Sequence, residues 1–214
     1  SFNSLRLSSN TINDISAFSN FESIEILDLK NNQIEDITPL KSIAIEELFI
    51  GENSIIDLTP LYSSLKAKKI GLINVNNSPI LLYPIEEIAK RGEERIVEWF
   101  DMVIENCNQK INKFKQNDEN ILDLGMMGLT DLSLIPKLFE LENLEELILS
   151  NVWADYNEKG TYWERENSNN NFYINNIYNI PSEIKNLKNL KKLIIGGDWK
   201  KDNHWNRWRI KDIT

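Results

Sequence analysis

Cysteine and histidine are almost absent from this chain, and each occurs once in its 214 residues. The lone Cys107 excludes a disulfide framework and favours a reducing, cytoplasmic compartment, with a secreted or cell-surface location as the alternative. The lone His204 would have to serve any Ser-His or Cys-His catalysis. Long apolar runs are missing too: no stretch of about 20 apolar residues is available to span a bilayer, so we expect no membrane insertion.

Basic residues are scarce relative to acidic ones. The chain has 24 Lys and Arg against 33 Asp and Glu, a formal net charge of −9. Nucleic acids and anionic membrane surfaces bind proteins largely through positive charge. The charge balance therefore argues against both classes of partner.

A repeat of leucine and asparagine fills the first third of the chain. Leu5-x-Leu7-x-x-Asn10-x-Ile12-x-Asp14-Ile15 recurs at Leu27 with a shift of 22 residues and at Leu48 with a shift of 21. Each Leu-x-Leu predicts a short strand with both leucines turned inward. The asparagines that follow (Asn10, Asn32 and Asn53) offer donors and an acceptor to the turning backbone, and the Asp14, Asp36 and Asp57 column predicts a second turn.

The repeat breaks off and then resumes in a different form. Ile96, Phe100, Val103, Cys107, Ile111 and Phe114 step by three or four, which predicts one face of a helix over residues 93–116. Leucine pairs return at Leu122-x-Leu124, Leu147-x-Leu149 and Leu193-x-Ile195. We therefore predict a first array over residues 1–79, a helical cap or linker over 80–119, and a second array over 120–214.

Two aromatic insertions, residues 153–173 and 196–209, interrupt the second array. Both follow a Leu-x-Leu or Leu-x-Ile pair, so they should emerge side by side on one edge of the stacked coils. Long loops without regular structure are functional or disordered, and these are too aromatic for disordered linkers. We expect them to form an aromatic and basic binding lobe or to stabilise that edge; the candidate residues are Trp153, Trp163, Trp199, Trp205, Trp208 and Arg207, with Arg209 beside them.

The first array resembles the 22-residue leucine-rich repeats of bacterial internalin-like proteins, and the second resembles the longer L-P-x-x-I class. The segment Asn77-x-Pro79-Ile80 through Trp99-Phe100 is similar to the one that closes the leucine-rich-repeat domain in bacterial Roco proteins, although another array follows it here and no G-x-x-x-x-G-K-[ST] occurs. The resemblance implies an α/β fold, a right-handed solenoid in two arrays joined by a helical segment. It also implies protein–protein recognition, with a Roco-like GTPase arm or an internalin-like adhesin as alternatives.

The sequence gives no sign of an enzyme. His204 lies in an Asp- and Asn-rich stretch that we interpret as a solvated loop, because metal sites need convergent ligands with supporting contacts. Cys107 lies on the apolar helix stripe, where an inert buried thiol is expected. Gly125-Met126-Met127-Gly128 is interpreted as a turn variant in place of an asparagine turn. We predict no catalysis, metal or cofactor.

The outward strand residues form the default binding surface, the concave face. In the first array we expect Arg6, Asp28, Phe49 and Gly71 there, and in the second Asp123, Ile148 and Ile194. An apolar row on an open strand face tends to mark a contact. We further expect a monomer, and a fragment of a longer protein, because Ser1 opens directly into a repeat and Ile210-x-Asp212-Ile213 begins another.

Overall fold

Two compact units make up the chain, Ser1–Met102 and Val103–Thr214. The computed structural model describes residues 2–78, 81–117, 119–156, 163–195 and 212–213. Parallel strands dominate both units, joined by short 3-10 turns and few α-helices. Parallel strands need a crossover between them, so each strand and its return segment form one coil of a repeat.

The first unit contains a four-stranded parallel sheet in sequence order. Leu5, Leu27, Leu48 and Ile73 lie opposite one another across it. From the second coil onward these side chains and the next inward row are buried, which confirms the Leu-x-Leu prediction. The strands are β1 (Phe2–Arg6), β2 (Ser23–Asp28), β3 (Ala44–Phe49) and β4 (Ile70–Asn74).

The fourth strand has a different register from the one that the sequence predicts. Asn74, not Gly71, lies opposite Phe49, so the prediction that placed Gly71 in this row is wrong. The third coil is longer than the first two, because its 3-10 turn Thr59–Leu61 continues into helix α1 (Tyr62–Lys66). The equivalent 3-10 turns before it are Ser16–Asn20 and Thr38–Leu40.

Helices follow the sheet as predicted. Helix α2 (Glu86–Ala89) is separated from α3 (Glu93–Gln116) by Gly92, whose φ of 102° is a left-handed conformation that favours glycine. The predicted helix face is confirmed, since its six apolar residues are at most 3% exposed. Helix α3 begins in the first unit and ends in the second.

The second unit has a three-stranded parallel sheet in which Glu146–Ile148 is the central strand. Its strands are β5 (Ile121–Asp123), β6 (Glu146–Ile148) and β10 (Lys192–Ile194). A second parallel pair, β9 (Asn179–Ile180) and β11 (Asp212–Ile213), belongs to the return segments. Its 3-10 turns are Leu132–Leu134, Pro136–Glu140 and Ser182–Asn186.

The first aromatic insertion contains an antiparallel β-hairpin, so the expectation of a loop without regular structure is wrong for it. Strand β7 (Val152–Tyr156) pairs with β8 (Trp163–Asn167), from Val152 opposite Asn167 to Tyr156 opposite Trp163. Asp212 pairs with Asn179 in a parallel arrangement. Asp212–Ile213 therefore corresponds to the return segment of the preceding coil, whereas the sequence suggested the start of a new repeat.

Candidate functional site

The asparagine ladder of the first unit links neighbouring coils. The Asn53 Nδ2 donates to the carbonyls of Ile50, 3.0 Å away in its own coil, and of Leu29, 2.9 Å away in the preceding coil. Its Oδ1 accepts from the Ile34 N–H at 3.0 Å. Asn32 makes the same contacts one coil earlier. The predicted ladder is confirmed, and it fixes the position of each strand relative to the next.

The second unit builds the same ladder from a residue that sequence reasoning missed. Asn175 Nδ2 donates to the carbonyls of Leu124 and Leu149 at 2.7 and 2.9 Å, and its Oδ1 accepts from the N–H groups of Met127 and Leu129. Asn175 comes after the insertion in the sequence, and its bond to Leu149 joins the two parts of the coil that the insertion separates. The signal was present in the sequence: Asn175-x-Ile177-x-Asn179-Ile180 repeats Asn32-x-Ile34-x-Asp36-Ile37.

An open strand face in the first unit carries the predicted site residues. We use the term open face for the outward rows of β1–β4: Ser4, Ile26, Glu47 and Leu72, then Arg6, Asp28, Phe49 and Asn74. Leu72 is 44% exposed, whereas Ile26 and Phe49 are half-buried. Ile26 and Leu72 each lie one strand across and two residues back from Phe49, a separation of about 8 Å for standard strand spacing and rise.

The corresponding row of the second unit differs. Asp123, Ile148 and Ile194 share one row, as predicted. Ile148 is only 6% exposed, however, so it does not stand on an open surface as the sequence suggested. Asp123 and Ile194 are half-buried. Of the three apolar residues that the sequence places on this face, Ile148 is therefore buried, and Phe49 and Ile194 are half-buried.

Asp123 anchors the segment that returns from the hairpin. Its carboxylate accepts hydrogen bonds from the Ser168 hydroxyl at 2.9 and 3.0 Å and from the Asn169 N–H at 2.9 Å. The Asn170 Nδ2 donates to the carbonyls of Asp123 and Gly125 at 3.0 and 2.8 Å. Part of the insertion thus lies on the strand face of its own unit, through residues that the sequence analysis did not single out.

A charged cluster within the first unit joins the start of α3 to helix α1. The Tyr62 hydroxyl donates to Asp101 Oδ1 at 2.5 Å. Lys66 Nζ donates to Asp101 Oδ1 at 2.6 Å and to the Tyr62 hydroxyl oxygen at 2.9 Å. Burial alone would raise the pKa of Asp101, but the hydrogen bonds from Lys66 and Tyr62 outweigh it and lower that pKa. The hydrogen bond to Asp101 raises the pKa of Lys66 to about 12. Nearby, Trp99 and Phe100 pack against Tyr83 and Tyr62.

The two candidates for chemistry that the sequence analysis weighs are Cys107 and His204. Burial raises the pKa of the Cys107 thiol to about 12, so it stays protonated at neutral pH, as the sequence analysis expected. Within the described ranges no group of three or more His, Cys, Asp or Glu side chains is placed to hold a metal. His204 lies outside those ranges. Among the described helices, none has the length and apolar character needed to cross a membrane.

The aromatic candidates are only partly described. Trp153 and Trp163 lie in β7 and β8, where Trp153 is opposite Glu166 and Trp163 is opposite Tyr156. Trp199, Trp205, Arg207, Trp208 and Arg209 lie outside the described residues. The expected aromatic and basic lobe therefore stays a prediction.

Comparison with known families agrees with this geometry. Residues 3–42 match the model of the family Leucine Rich repeats (2 copies). This match supports a leucine-rich-repeat protein. A search of curated proteins gave no match. The matched residues cover β1, β2 and the turns that follow them, including Asn10 and Asn32. Leucine-rich-repeat domains are in general protein-interaction modules and typically non-catalytic.

Proposed function

We propose that this chain is a protein-interaction module that binds its partner through the open face of the first unit, the concave face of a leucine-rich-repeat solenoid. The observation that carries the proposal is the apolar patch of Ile26, Phe49 and Leu72 on an otherwise polar strand face. Apolar patches rimmed by polar residues mark interaction sites, because their burial releases water. Two arrays, over residues 1–79 and 120–214, belong to the same proposal.

The test is a selection for binders from a displayed library of protein fragments. Wild-type chain is compared with the double variant Phe49→Ser and Leu72→Ser. The matched control is Leu82→Ser with Met102→Ser, since these side chains are 43% and 40% exposed and lie off the open face. We expect fragments selected on the wild type to bind the double variant about tenfold more weakly or worse. A few anchor side chains contribute most of the binding energy at an interface, and this variant removes two of them.

Two outcomes would contradict this function. In the first, the double variant keeps the wild-type binders with affinities within about twofold, which is below the cost of losing an apolar anchor. In the second, no fragment is enriched on the wild type over the double variant. Circular dichroism and the melting temperature of each variant establish that the fold is retained.

The hairpin is a second candidate surface, favoured by the bonds that fix its return segment on Asp123. A fixed arm loses less conformational entropy on binding than a free loop. The hairpin can be shortened cleanly, since Val152 and Asn167 are paired: Asn-Gly in place of residues 153–166 would close a two-residue turn. If the hairpin contributes to binding, the shortened chain loses affinity while Asn175 still completes its coil. An unchanged affinity assigns the hairpin a structural role alone.

A further inference from the structure

Carboxylates at the same position of the repeat have different surroundings in the two units. Glu46 and Glu47 directly precede Leu48, as Glu145 and Glu146 precede Leu147. In the second unit the next strand supplies a cation for each: Lys191 Nζ lies 2.6 Å from Glu145 Oε1, and Lys192 Nζ lies 3.4 Å from Glu146 Oε1. The strand register places Lys192 opposite Glu146, and Lys191 and Glu145 directly precede them.

The first unit lacks these cations. The residue opposite Glu47 is Leu72, and Gly71 precedes it. Glu25, Glu46 and Glu47 are exposed and form no ion pair or side-chain hydrogen bond with another residue in the described ranges. The three carboxylates lie on the two central strands, beside Ile26 and Phe49. They place three negative charges on and beside the open face, none of them in an ion pair with a described residue.

The nearby cations of the described residues form no ion pair with these three carboxylates. Lys30 is paired with Glu52 at 3.1 Å, and hydrogen bonds from Asn77 and Lys30 lower the pKa of Glu52. Arg6 lies on the edge strand β1, where its Nε donates to Ser4. Lys68 and Lys69 lie at the start of β4 and line, with Glu25 and Glu46, a shallow cavity of about 430 Å³ at that end of the strands. The centre of the open face is thus acidic and apolar, and its margins are basic.

The second unit also shows how a neighbouring segment of chain contacts this position of the repeat. Asp123 Oδ1 accepts from the Gly125 N–H at 2.9 Å, and Asp123 Oδ2 accepts from the Asn169 N–H of the returning segment. Asp28 occupies the same position in the first unit and makes the same local bond, from the Lys30 N–H at 3.1 Å to Oδ1. At this position Asp123 accepts a backbone N–H from a neighbouring segment through its second carboxylate oxygen, and Asp28 carries the same acceptor group.

We propose that the open face receives an extended, positively charged segment of a partner protein. One apolar side chain of the segment packs on Phe49 between Ile26 and Leu72. A lysine or arginine beside it pairs with Glu25, Glu46 and Glu47, in the way that Lys191 and Lys192 pair within the second unit. This inference rests on the proposed function and adds the chemistry of the partner. Complementary charge at such a face contributes mainly specificity and association rate.

The probe is a random library of short displayed peptides, selected on the full chain. Peptides enriched on the wild type are sequenced and their affinities measured at low and high sodium chloride. The test variant is Glu46→Gln with Glu47→Gln, and the matched control is Glu145→Gln with Glu146→Gln, which makes the same charge change at the same position of the repeat. We expect enriched peptides to combine Lys or Arg with an apolar residue. Their affinity should fall about tenfold on the test variant and with salt, and stay within about twofold on the control.

Three results overturn the inference. The enriched peptides carry no excess of Lys and Arg; or the test variant binds them as well as the wild type does; or the control weakens binding as much as the test variant. The variant Phe49→Ser separates this failure from that of the proposed function. If Phe49→Ser abolishes binding of peptides that are not basic, only the charge argument fails. If Phe49→Ser leaves binding intact, the open face is not the site.

Discussion

Asparagine side chains satisfy the backbone where each coil turns, and this explains why the residue recurs at a fixed step. Asn53 is 8% exposed and bonds carbonyls and an N–H from two coils. Asn10 occupies the same position in the first coil, but it is exposed, and its amide donates to the carbonyls of Leu7 and Ser8 in its own coil. Asn10 and Asn53 occupy the same position of the repeat, but only the Asn53 amide forms hydrogen bonds with buried backbone groups of two coils.

Asn53→Ala should therefore destabilise the chain far more than Asn10→Ala. Removing the Asn53 amide leaves buried backbone groups without partners, at about 1–3 kcal/mol each, so we expect a loss of about 3 kcal/mol for Asn53→Ala. Water can replace the bonds of exposed Asn10, so that loss should stay below about 1 kcal/mol. Urea unfolding followed by circular dichroism measures both. Equal losses would show that the ladder does not depend on burial.

Two glycines allow neighbouring coils to approach closely. A Cβ on Gly51 would lie 2.2 Å from the Asn76 carbonyl oxygen, and one on Gly125 would lie 2.1 Å from that of Ser150. Both contacts are with backbone of the next coil, which cannot move without disturbing the ladder. We expect Gly51→Ala and Gly125→Ala each to cost about 2 kcal/mol or more, the upper range for overpacking. Lys30→Ala is the control at the same position of the repeat, and thermal unfolding should show a small change for it.

The ladder residues of the first unit could be predicted from the sequence, because three copies follow one another in register. Asn175 was missed because 25 residues separate it from Leu149, whereas Asn53 follows Ile50 by three. Spacing alone loses a repeat that an insertion divides. The contacts of Asn175 with Leu124 and Leu149 recover it, since hydrogen bonding depends on position in space.

Among the elements, helix α3 was predicted with its correct bounds and β4 was not. A long stripe with steps of three and four has one helical interpretation. The stretch Ile70-Gly71-Leu72-Ile73-Asn74-Val75 has two alternating patterns, and one places Gly71 outward while the other places Asn74 there. Aromatic residues on both sides of Gly160 are typical of two strands joined by a turn, but the surrounding asparagines favoured a loop.

The hairpin should loosen when its anchor is removed. Asp123→Ala deletes the acceptor for Ser168 and the Asn169 N–H, so we expect faster amide hydrogen exchange at residues 163–170 with little change in β6. Asp28→Ala is the matched control, because Asp28 occupies the same position in a unit without a hairpin. Exchange followed by mass spectrometry measures both variants. Unchanged exchange in Asp123→Ala would mean that other contacts hold the hairpin.

The contact between α3 and helix α1 should depend on pH through Asp101. Its pKa is lowered on folding, so its stabilisation is present above the ordinary carboxyl pKa and is lost as the pH falls through the folded value. The pKa of Lys66 is raised to about 12, so its contribution is lost only as the pH rises toward that value. Asp101→Asn should cost about 0.5–1 kcal/mol near neutral pH, a modest value because both side chains are well exposed. The difference from the wild type should vanish in acid; a constant difference from pH 7 to acid would refute the ion pair's role.

At the scale of the whole molecule, the sequence predicted the kind of surface better than its exact residues. The repeat implies stacked coils that present strand rows to a partner. Which rows stay open depends on the insertions, since the segment after β8 lies on Asp123 whereas the first unit has no insertion of this kind. The proposed partner chemistry depends on the strand that follows in each sheet: it supplies Lys191 and Lys192 in the second unit, whereas the uncharged Gly71 and Leu72 stand at those positions in the first. Neither difference could be predicted without knowing which residues lie opposite one another in the two sheets.

The oligomeric state of the chain depends on what covers the apolar stripe of α3. The apolar stripe of α3 either covers the chain's own core or joins two copies, and Phe100, 1% exposed and packed on Tyr62 and Trp99, favours the first. Phe100→Asp should lower the melting temperature by about 10 °C, since removing a buried aromatic side chain costs about 3–5 kcal/mol. Met102→Asp, at an exposed position of the same helix, should change it little. Analytical ultracentrifugation should find a monomer for the wild type and both variants. If Phe100→Asp instead converts a dimer into a stable monomer with an unchanged fold, the stripe is an interface between copies of the chain.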